Sequence, residues 1–455
     1  MPPTLLRSLS HRNFRLFFFG QSISLIGTWM QQVAMSWLVY EITKQSWWLG
    51  VVGFSSQLLS FFLSPFAGVV VDHTNRHRLV IATQAAAMIQ AFLLAYLALA
   101  GLVEVWHIVA LSAFVGIVNA FDMPGRQAFL SEMIERREDL SNAIALNSSM
   151  FNGARLVGPA LAGFVLALTN AGVCFLVNAV SFVAVLIALF AMHVTPRAIR
   201  GNRRDILKGL REGFNYAFGF APIRALLLLL ATVSLLAMCY TVLLPVFATR
   251  ELDAVSFPDW VIDILPGWMA TMLGAQSTTL GLLMSSAGVG ALLAAIFLAS
   301  RKSVLGLGKW IMFMPALLGI GMIGLSLTHS LRFAMPCLLI AGFAMMMQMA
   351  SSNTVLQTIV EEDKRGRVMS LYVMAFMGTA PLGSLLAGFL ADCIGAQLTV
   401  RIAGVGCVLA SLVFATQFKT LRAMIRPIYR RMGILPEVAT GIQQASQLAT
   451  PPEGK

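Results

Sequence analysis

The 455-residue chain is 58% apolar and only 11% charged, with a mean hydropathy of +0.79. A water-soluble domain is roughly half apolar and about a quarter charged, so an ordinary globular enzyme or binding module is excluded. The net charge of +12 would suit a nucleic-acid surface, but its distribution along the chain gives it another use.

In chain order, twelve stretches reach the ~20 mostly apolar residues that cross a bilayer as a helix. They lie near 14–40, 47–71, 79–101, 105–121, 141–168, 171–193, 223–248, 276–300, 307–328, 333–354, 367–391 and 397–418. Backbone polar groups in lipid must be paired internally, and strand-like alternation is absent. The expected class is therefore an all-α membrane protein of twelve helices. Arg7, Arg12 and Arg15 precede a first span of more than 25 residues with no small-residue cleavage site, which reads as a retained helix and not a removed signal.

Charge then orients the chain. With the N-terminus inside, 27 of the 32 Lys and Arg fall in cytoplasmic segments, four (Lys44, Arg250, Arg332, Arg401) fall outside, and Arg155 lies within a span. This positive-inside asymmetry places both termini in the cytoplasm of a plasma (bacterial inner) membrane protein. It leaves no need for a nucleic-acid partner. The five cysteines are scattered in or at the ends of spans and read as packing thiols, with no metal-ligand spacing among them.

The second six spans echo the first six. Gly158-Pro159-Ala160-Leu161-Ala162-Gly163-Phe164 recurs as Gly383-Ser384-Leu385-Leu386-Ala387-Gly388-Phe389, 225 residues on, and Leu49-Gly50 recurs as Leu280-Gly281 at an offset of 231. Internal repeats of this kind build a site between two bodies that rock against each other, which points to a transporter. The expected division is 1–193 for the first half, 194–222 for a cytoplasmic linker, 223–418 for the second half and 419–455 for a cytoplasmic tail. Within the linker, apolar positions 206, 207, 210, 214, 217 and 218 share one helical face, as in a helix lying on a membrane surface. The connection 249–275 is acidic, with Glu251, Asp253, Asp259 and Asp263 among aromatic residues, and is either an external cap or a solvated loop. The tail reads as a basic interfacial helix followed by a polar, disordered end.

Between the second and third spans stand Gly68, Asp72, Arg76 and Arg78, with His73 and Asn75 between them. This loop resembles the signature loop of the major facilitator superfamily, Gly-x-x-x-Asp followed by basic residues. The resemblance implies that Asp72 and the arginines latch the cytoplasmic side in the outward-open state. Asn75 replaces a family glycine and is expected to tolerate a left-handed turn. The equivalent loop of the second half, Ser300-Arg301-Lys302-Ser303, has no acid, so its latch is degraded.

In the fifth span, Gly153, Gly158, Pro159 and Gly163 are similar to the Gly-Pro-x-x-Gly-Gly element of exporters and antiporters, with Ala162 in place of one glycine. Asn119 to Phe129, Asn142 to Asn147, Leu210 to Gly213 and Arg365 to Tyr372 resemble the exporter branch that includes the enterobactin exporter and macrolide efflux proteins. The likeness spans roughly residues 7 to 420.

Arg155 sits about fourteen residues into its span. A basic residue at the bilayer centre costs ~2.5–3.5 kcal/mol on insertion scales, so it should face the bundle interior, a polar cavity or an acid. Asp122, at the expected end of the fourth span, is the nearest acid in the sequence. The pair reads either as an anion-contact and gating device or as a structural anchor. Trp29, Gln32, Gln57, Tyr240, Gln348 and Asn353, together with Gln21, Gln31, Asn147 and Asn152, complete the polar and aromatic candidates for coupling or substrate contact. Most such groups simply bind a partner helix. The methionines at 345–347 and 349 offer an adaptable apolar wall.

These readings and resemblances imply a secondary active transporter, working as a monomer, that exports an amphipathic small molecule of drug or siderophore type by alternating access in exchange for protons. Membrane lipids are its surroundings, and no cofactor or metal is expected. A lipid or lysophospholipid flippase on the same fold and a non-transporting receptor or scaffold are the rivals. An embedded enzyme finds no cluster of His, Asp, Cys or Glu, and no Gly-x-x-x-x-Gly-Lys loop is present to bind ATP.

Overall fold

A computed structural model describes residues 4–194, 206–253, 275–301 and 303–431, so Lys302 of the second-half loop lies outside the described residues. A short 3-10 helix, Thr4–Ser10, precedes α1 (Arg12–Thr43), α2 (Ser46–His73), α3 (Arg76–Leu99), α4 (Val105–Leu130), α5 (Leu140–Leu168) and α6 (Ala171–Phe190). Then follow α7 (Ile206–Gly219), α8 (Ala221–Val246), α9 (Gln276–Ala299), α10 (Leu307–Leu327), α11 (Leu331–Ile359), α12 (Glu362–Met377), α13 (Ala380–Ile394) and α14 (Ala396–Arg431). No strand occurs among the described residues.

Eleven of the described helical stretches are long and apolar enough to span a membrane, with α12 and α13 forming one of them. The twelfth is α1, whose glutamines and arginines lower its hydropathy but whose 32 residues pack along α5 and α6. The first six helices pack mainly on one another, as do α8 to α14, giving the expected pair of six-helix groups. The two groups meet chiefly where α5 lies on α9 and α2 lies on α13. The turns after α2, α4, α9 and α11 lie at one end of the bundle, the basic end, where most Lys and Arg gather; the opposite end is the far end.

Several boundaries differ from the sequence expectation. Helix α4 continues to Leu130, so Asp122 and Arg126 stand inside a helix and not in a loop. The basic start of the tail is not a separate interfacial helix; α14 runs unbroken from the span to Arg431. The eleventh span breaks between Met377 and Ala380. Pro381 has no N–H to offer the carbonyl of residue 377, and its ring crowds that carbonyl, so the helix restarts there. The amphipathic stretch of the linker does form a helix, α7. Asp259 and Asp263 of the acidic connection, and the tail beyond residue 431, lie outside the described residues. All five cysteines are free, and Cys393 is exposed where a packing thiol was expected.

Candidate functional site

The two sequence echoes turn out to be the two contact zones between the groups, and they touch each other reciprocally. A Cβ built on Gly163 of α5 would lie 3.0 Å from the Ser277 carbonyl and 3.1 Å from Gly281 Cα of α9. One built on Gly388 of α13 would lie 2.7 Å from the Ser46 carbonyl and 3.1 Å from Gly50 Cα of α2. In return, a Cβ built on Gly281 would lie 2.7 Å from the Pro159 carbonyl and one built on Gly50 would lie 2.6 Å from the Ser384 carbonyl. Residues 159 and 163 map onto 384 and 388, and 46 and 50 onto 277 and 281, by the two offsets found in the sequence. Each crossing is thus the pseudo-symmetric copy of the other, and each needs glycine because backbones meet there. Both lie toward the far end. Gly53 (against Ser384) and Gly288 (against the Arg155 carbonyl) carry the contacts toward the middle of the bundle.

Arg155 occupies the middle of α5, and its side chain turns toward α1. Its guanidinium lies 5.7 Å from the centroid of the Trp29 ring, and its charge reaches the buried Tyr240. Trp29 also packs edge-on to Phe151 and presses on Gly158, so residues 151, 155 and 158 present one face of α5 to α1. Pro159 leaves the Arg155 carbonyl without its helical donor, and Ser285 of α9 donates to the neighbouring Leu156 carbonyl at 3.1 Å. Arg155 and Trp29 are thus in contact, and Tyr240 of the other group lies within range of the Arg155 charge. No acid among the described residues pairs with Arg155.

The expected Asp122–Arg155 pairing is not formed. Asp122, 3% exposed, lies 2.6 Å from Arg126 Nε one turn along its own helix. It also accepts hydrogen bonds from Thr83 Oγ1 and Gln84 Nε2 of α3, both at 2.8 Å. Satisfying a buried carboxylate locally costs less than stretching Arg155 across to it, and the i,i+4 spacing supplies the partner.

At the basic end, the Asp72 side chain lies outside the described residues. Arg76 pairs with Glu132 at 2.9 Å, within its own group, and Arg78 is exposed. Asn75 does not take the left-handed turn expected of it. It has φ −69° and caps α3 by accepting from the Arg78 N–H at 3.1 Å. Of the small residues singled out earlier, Gly68 and Gly153 face open space, unlike Gly158 and Gly163.

The far end carries a helix cap that joins the two groups. Asp392, near the end of α13, accepts the backbone N–H of Ser46 at 2.8 Å and of Trp47 at 2.9 Å. These are the first two orphan donors of α2, so a carboxylate of one group closes the positive helix end of the other. Arg250 adds a second tie there, donating to the Lys44 carbonyl at 3.2 Å and lying over the Tyr40 ring. Asp392→Asn keeps the shape but leaves only one acceptor oxygen, and loss of a helix cap costs about 0.5–2 kcal/mol. The far-end crossing should then open several-fold more often. A Ser384→Cys substitution, buried at the crossing, reports this as faster reaction with an impermeant thiol reagent from the far side. An unchanged rate rejects the role.

The remaining polar candidates divide. Gln31 belongs to an amide network inside the first group, donating to Gln90 at 3.1 Å and accepting from Asn178 at 2.7 Å. Gln32 is exposed, Gln57 folds back on the Gly53 carbonyl, and Asn353 accepts from Gln357 on its own helix. Gln348 Oε1 and Ser351 Oγ of α11, and Gln21 Oε1 and Ser24 Oγ of α1, are buried and find no partner among the described residues. Ser24 and Ser351 were not singled out beforehand; their only sequence signal was a hydroxyl inside an apolar span. Thr83, Gln84 and Ser285 were missed in the same way.

Comparison with known proteins agrees with this architecture. Residues 4–427 match the family described as transmembrane secretion effector, MFS_3. The chain is 27% identical over 403 residues to the staphyloferrin A transporter of Staphylococcus aureus, covering 88% of this chain and 94% of that protein. It is 23% identical over 391 residues to the multidrug efflux pump Tap of Mycolicibacterium fortuitum, covering 84% and 90%. Among solved structures, the nucleoside transporter NupG superposes with a TM-score of 0.67 at 14% identity, covering 91% of this chain and all of that one, a likeness of fold. With twelve spans in two repeated groups and a family match over nearly its whole length, the chain belongs to the transmembrane secretion effector family of the major facilitator superfamily, a family of transporters and not of enzymes.

Proposed function

We propose that the protein exports an amphipathic small molecule by alternating access, with its basic end in the cytoplasm. The observation that carries this reading is the pair of symmetry-related glycine crossings that join the two groups from the far end to the middle. Two repeats that touch through small residues can separate at one end and close at the other with little repacking. With the basic end inside, as the positive-inside rule directs, the far-end crossings are read as the closed side of an inward-facing state, and both termini are cytoplasmic in an inner membrane. The working bodies are residues 1–193 and 223–418, tethered by 194–222, in a protein that acts as a monomer. The direction of movement follows the exporter element around Pro159 and the efflux pump among the relatives.

The substrate is of drug or siderophore type, received beside Arg155, Trp29 and Tyr240. A guanidinium over an aromatic face, with no acid partner among the described residues, recognises an anionic, partly apolar molecule. The driving ion is the proton, and the buried Asp122–Arg126 pair is its site. A proton can reach that carboxylate only when Arg126 releases it, so opening of the pair would report the conformational state.

Proteoliposomes with an imposed pH gradient test this. Wild-type protein should accumulate substrate against its gradient. Asp122→Asn should lose uphill accumulation at least tenfold while still binding substrate. Retained accumulation by Asp122→Asn removes Asp122 as the coupling site. Lipid movement with no solute flux replaces export by lipid flipping.

A further inference from the structure

We infer that the protein carries a binding site for an anionic phospholipid at its basic end, remote from the path between the two groups. A cavity of about 610 Å³ opens there among α8, α10, α11 and the final turns of α14. Its walls include Leu226, Ile311, Val355, Phe414 and Phe418, and its rim carries Lys309, Lys419, Arg422 and Arg426. Lys419, Arg422 and Arg426 follow one another at helical spacing along α14, so they share a face, and Lys309 answers them from the first turn of α10. None of these four cations pairs with a described acid.

The positive-inside rule explains why cations lie on this end. It does not explain why four that pair with no described acid line one cavity with apolar walls. Depth supplies the missing link. Helix α14 is largely apolar up to Phe418 and basic from Lys419 onward, so the cations sit where hydrocarbon gives way to headgroups. A phosphodiester on the rim would meet the cations while its acyl chains lie along Phe414, Phe418 and Leu226. Basic pockets between spanning helices bind anionic headgroups through this combination. A free phosphate would satisfy the rim and leave the apolar floor facing water, so the lipid is the better-matched occupant.

The inference needs only a membrane-embedded chain and stands apart from the transport reading. Native mass spectrometry of the detergent-purified full chain tests it, using phosphatidylglycerol, phosphatidylcholine of the same acyl chains, and glycerol 3-phosphate. Phosphatidylglycerol should bind at least tenfold more tightly than phosphatidylcholine. The triple variant Lys419→Gln, Arg422→Gln, Arg426→Gln should weaken phosphatidylglycerol at least fivefold and leave phosphatidylcholine unchanged. Lys309→Gln, which leaves α14 intact, should weaken it at least twofold and guards against misfolding of the triple variant. Arg15→Gln with Arg136→Gln removes exposed charge from the same end of the other group and should change nothing. Equal binding of the two lipids, or no loss in either rim variant, overturns the proposal. Competition by glycerol 3-phosphate at equal concentration overturns it in favour of a soluble-anion site. A manyfold gain in lipid binding on removing residues 432–455 overturns it in favour of the chain's own tail as occupant.

Discussion

Arg155→Ala is expected to abolish export of an anionic substrate, a loss of at least a hundredfold at equal membrane abundance, while the protein inserts as readily as before or better. A lone arginine at that depth costs ~2.5–3.5 kcal/mol on insertion scales, so removing it relieves the membrane. What disappears is the guanidinium held 5.7 Å from the Trp29 ring. Arg155→Lys keeps the charge but loses the planar fork and its stacking, so it should transport poorly as well. A neutral drug, if carried, should suffer much less than a carboxylate, because only the anion uses the charge. Substrate flux in proteoliposomes measures all three. Arg155→Cys in a cysteine-free background should react with an impermeant thiol reagent, at a rate that substrate alters. Normal flux by Arg155→Ala, together with no labelling from either side, would make the residue a structural anchor.

Gly163→Val should have an effect of similar size by a different route. The added Cβ would lie 3.0 Å from the Ser277 carbonyl and 3.1 Å from Gly281 Cα, both backbone atoms that cannot turn aside. Overpacking of this kind costs about 1–3 kcal/mol. It falls on the closed far end alone, so it shifts the populations of the two states by about fivefold to more than a hundredfold. Transport should drop in proportion, and a Ser277→Cys reporter should become accessible from the far side. Gly388→Val should reproduce the defect at the symmetric crossing. Gly153→Ala is the contrast: a Cβ there meets nothing within 4 Å, and alanine favours a helix by about 1 kcal/mol over glycine. Equal transport by Gly163→Val and Gly153→Ala would show that the crossing does not gate.

How far the site was legible depended on whether its chemistry was local. The Asp122–Arg126 pair is an i,i+4 contact that spacing alone announces, yet a fourth span expected to end near residue 121 leaves both residues beyond the helix. Arg155 stands out in the sequence by its depth, but its neighbour Trp29 comes from α1, and nothing in the order of residues says which helices stand beside α5. Asn75 was expected to substitute for glycine by its backbone; it serves by its side chain, capping α3.

The sequence by itself determined that this chain is a twelve-span membrane protein, which segments cross, and which end of the bundle is basic. It also held the repeat and the family resemblance, because hydropathy, charge bias and glycine spacing are properties of neighbouring residues. Only the tertiary structure decided that the two echoes are each other's partners, with Gly163 on Gly281 and Gly388 on Gly50. It alone showed that Asp392 caps α2 from the other group, that Asp122 turns from Arg155 to Arg126, and that four cations ring one cavity. The reason is physical: a span's apolar surface fixes that it enters the bilayer, but lipid is as apolar as a neighbouring helix, so hydropathy cannot choose between them. That choice falls to close packing of small residues and to the pairing of the few polar groups.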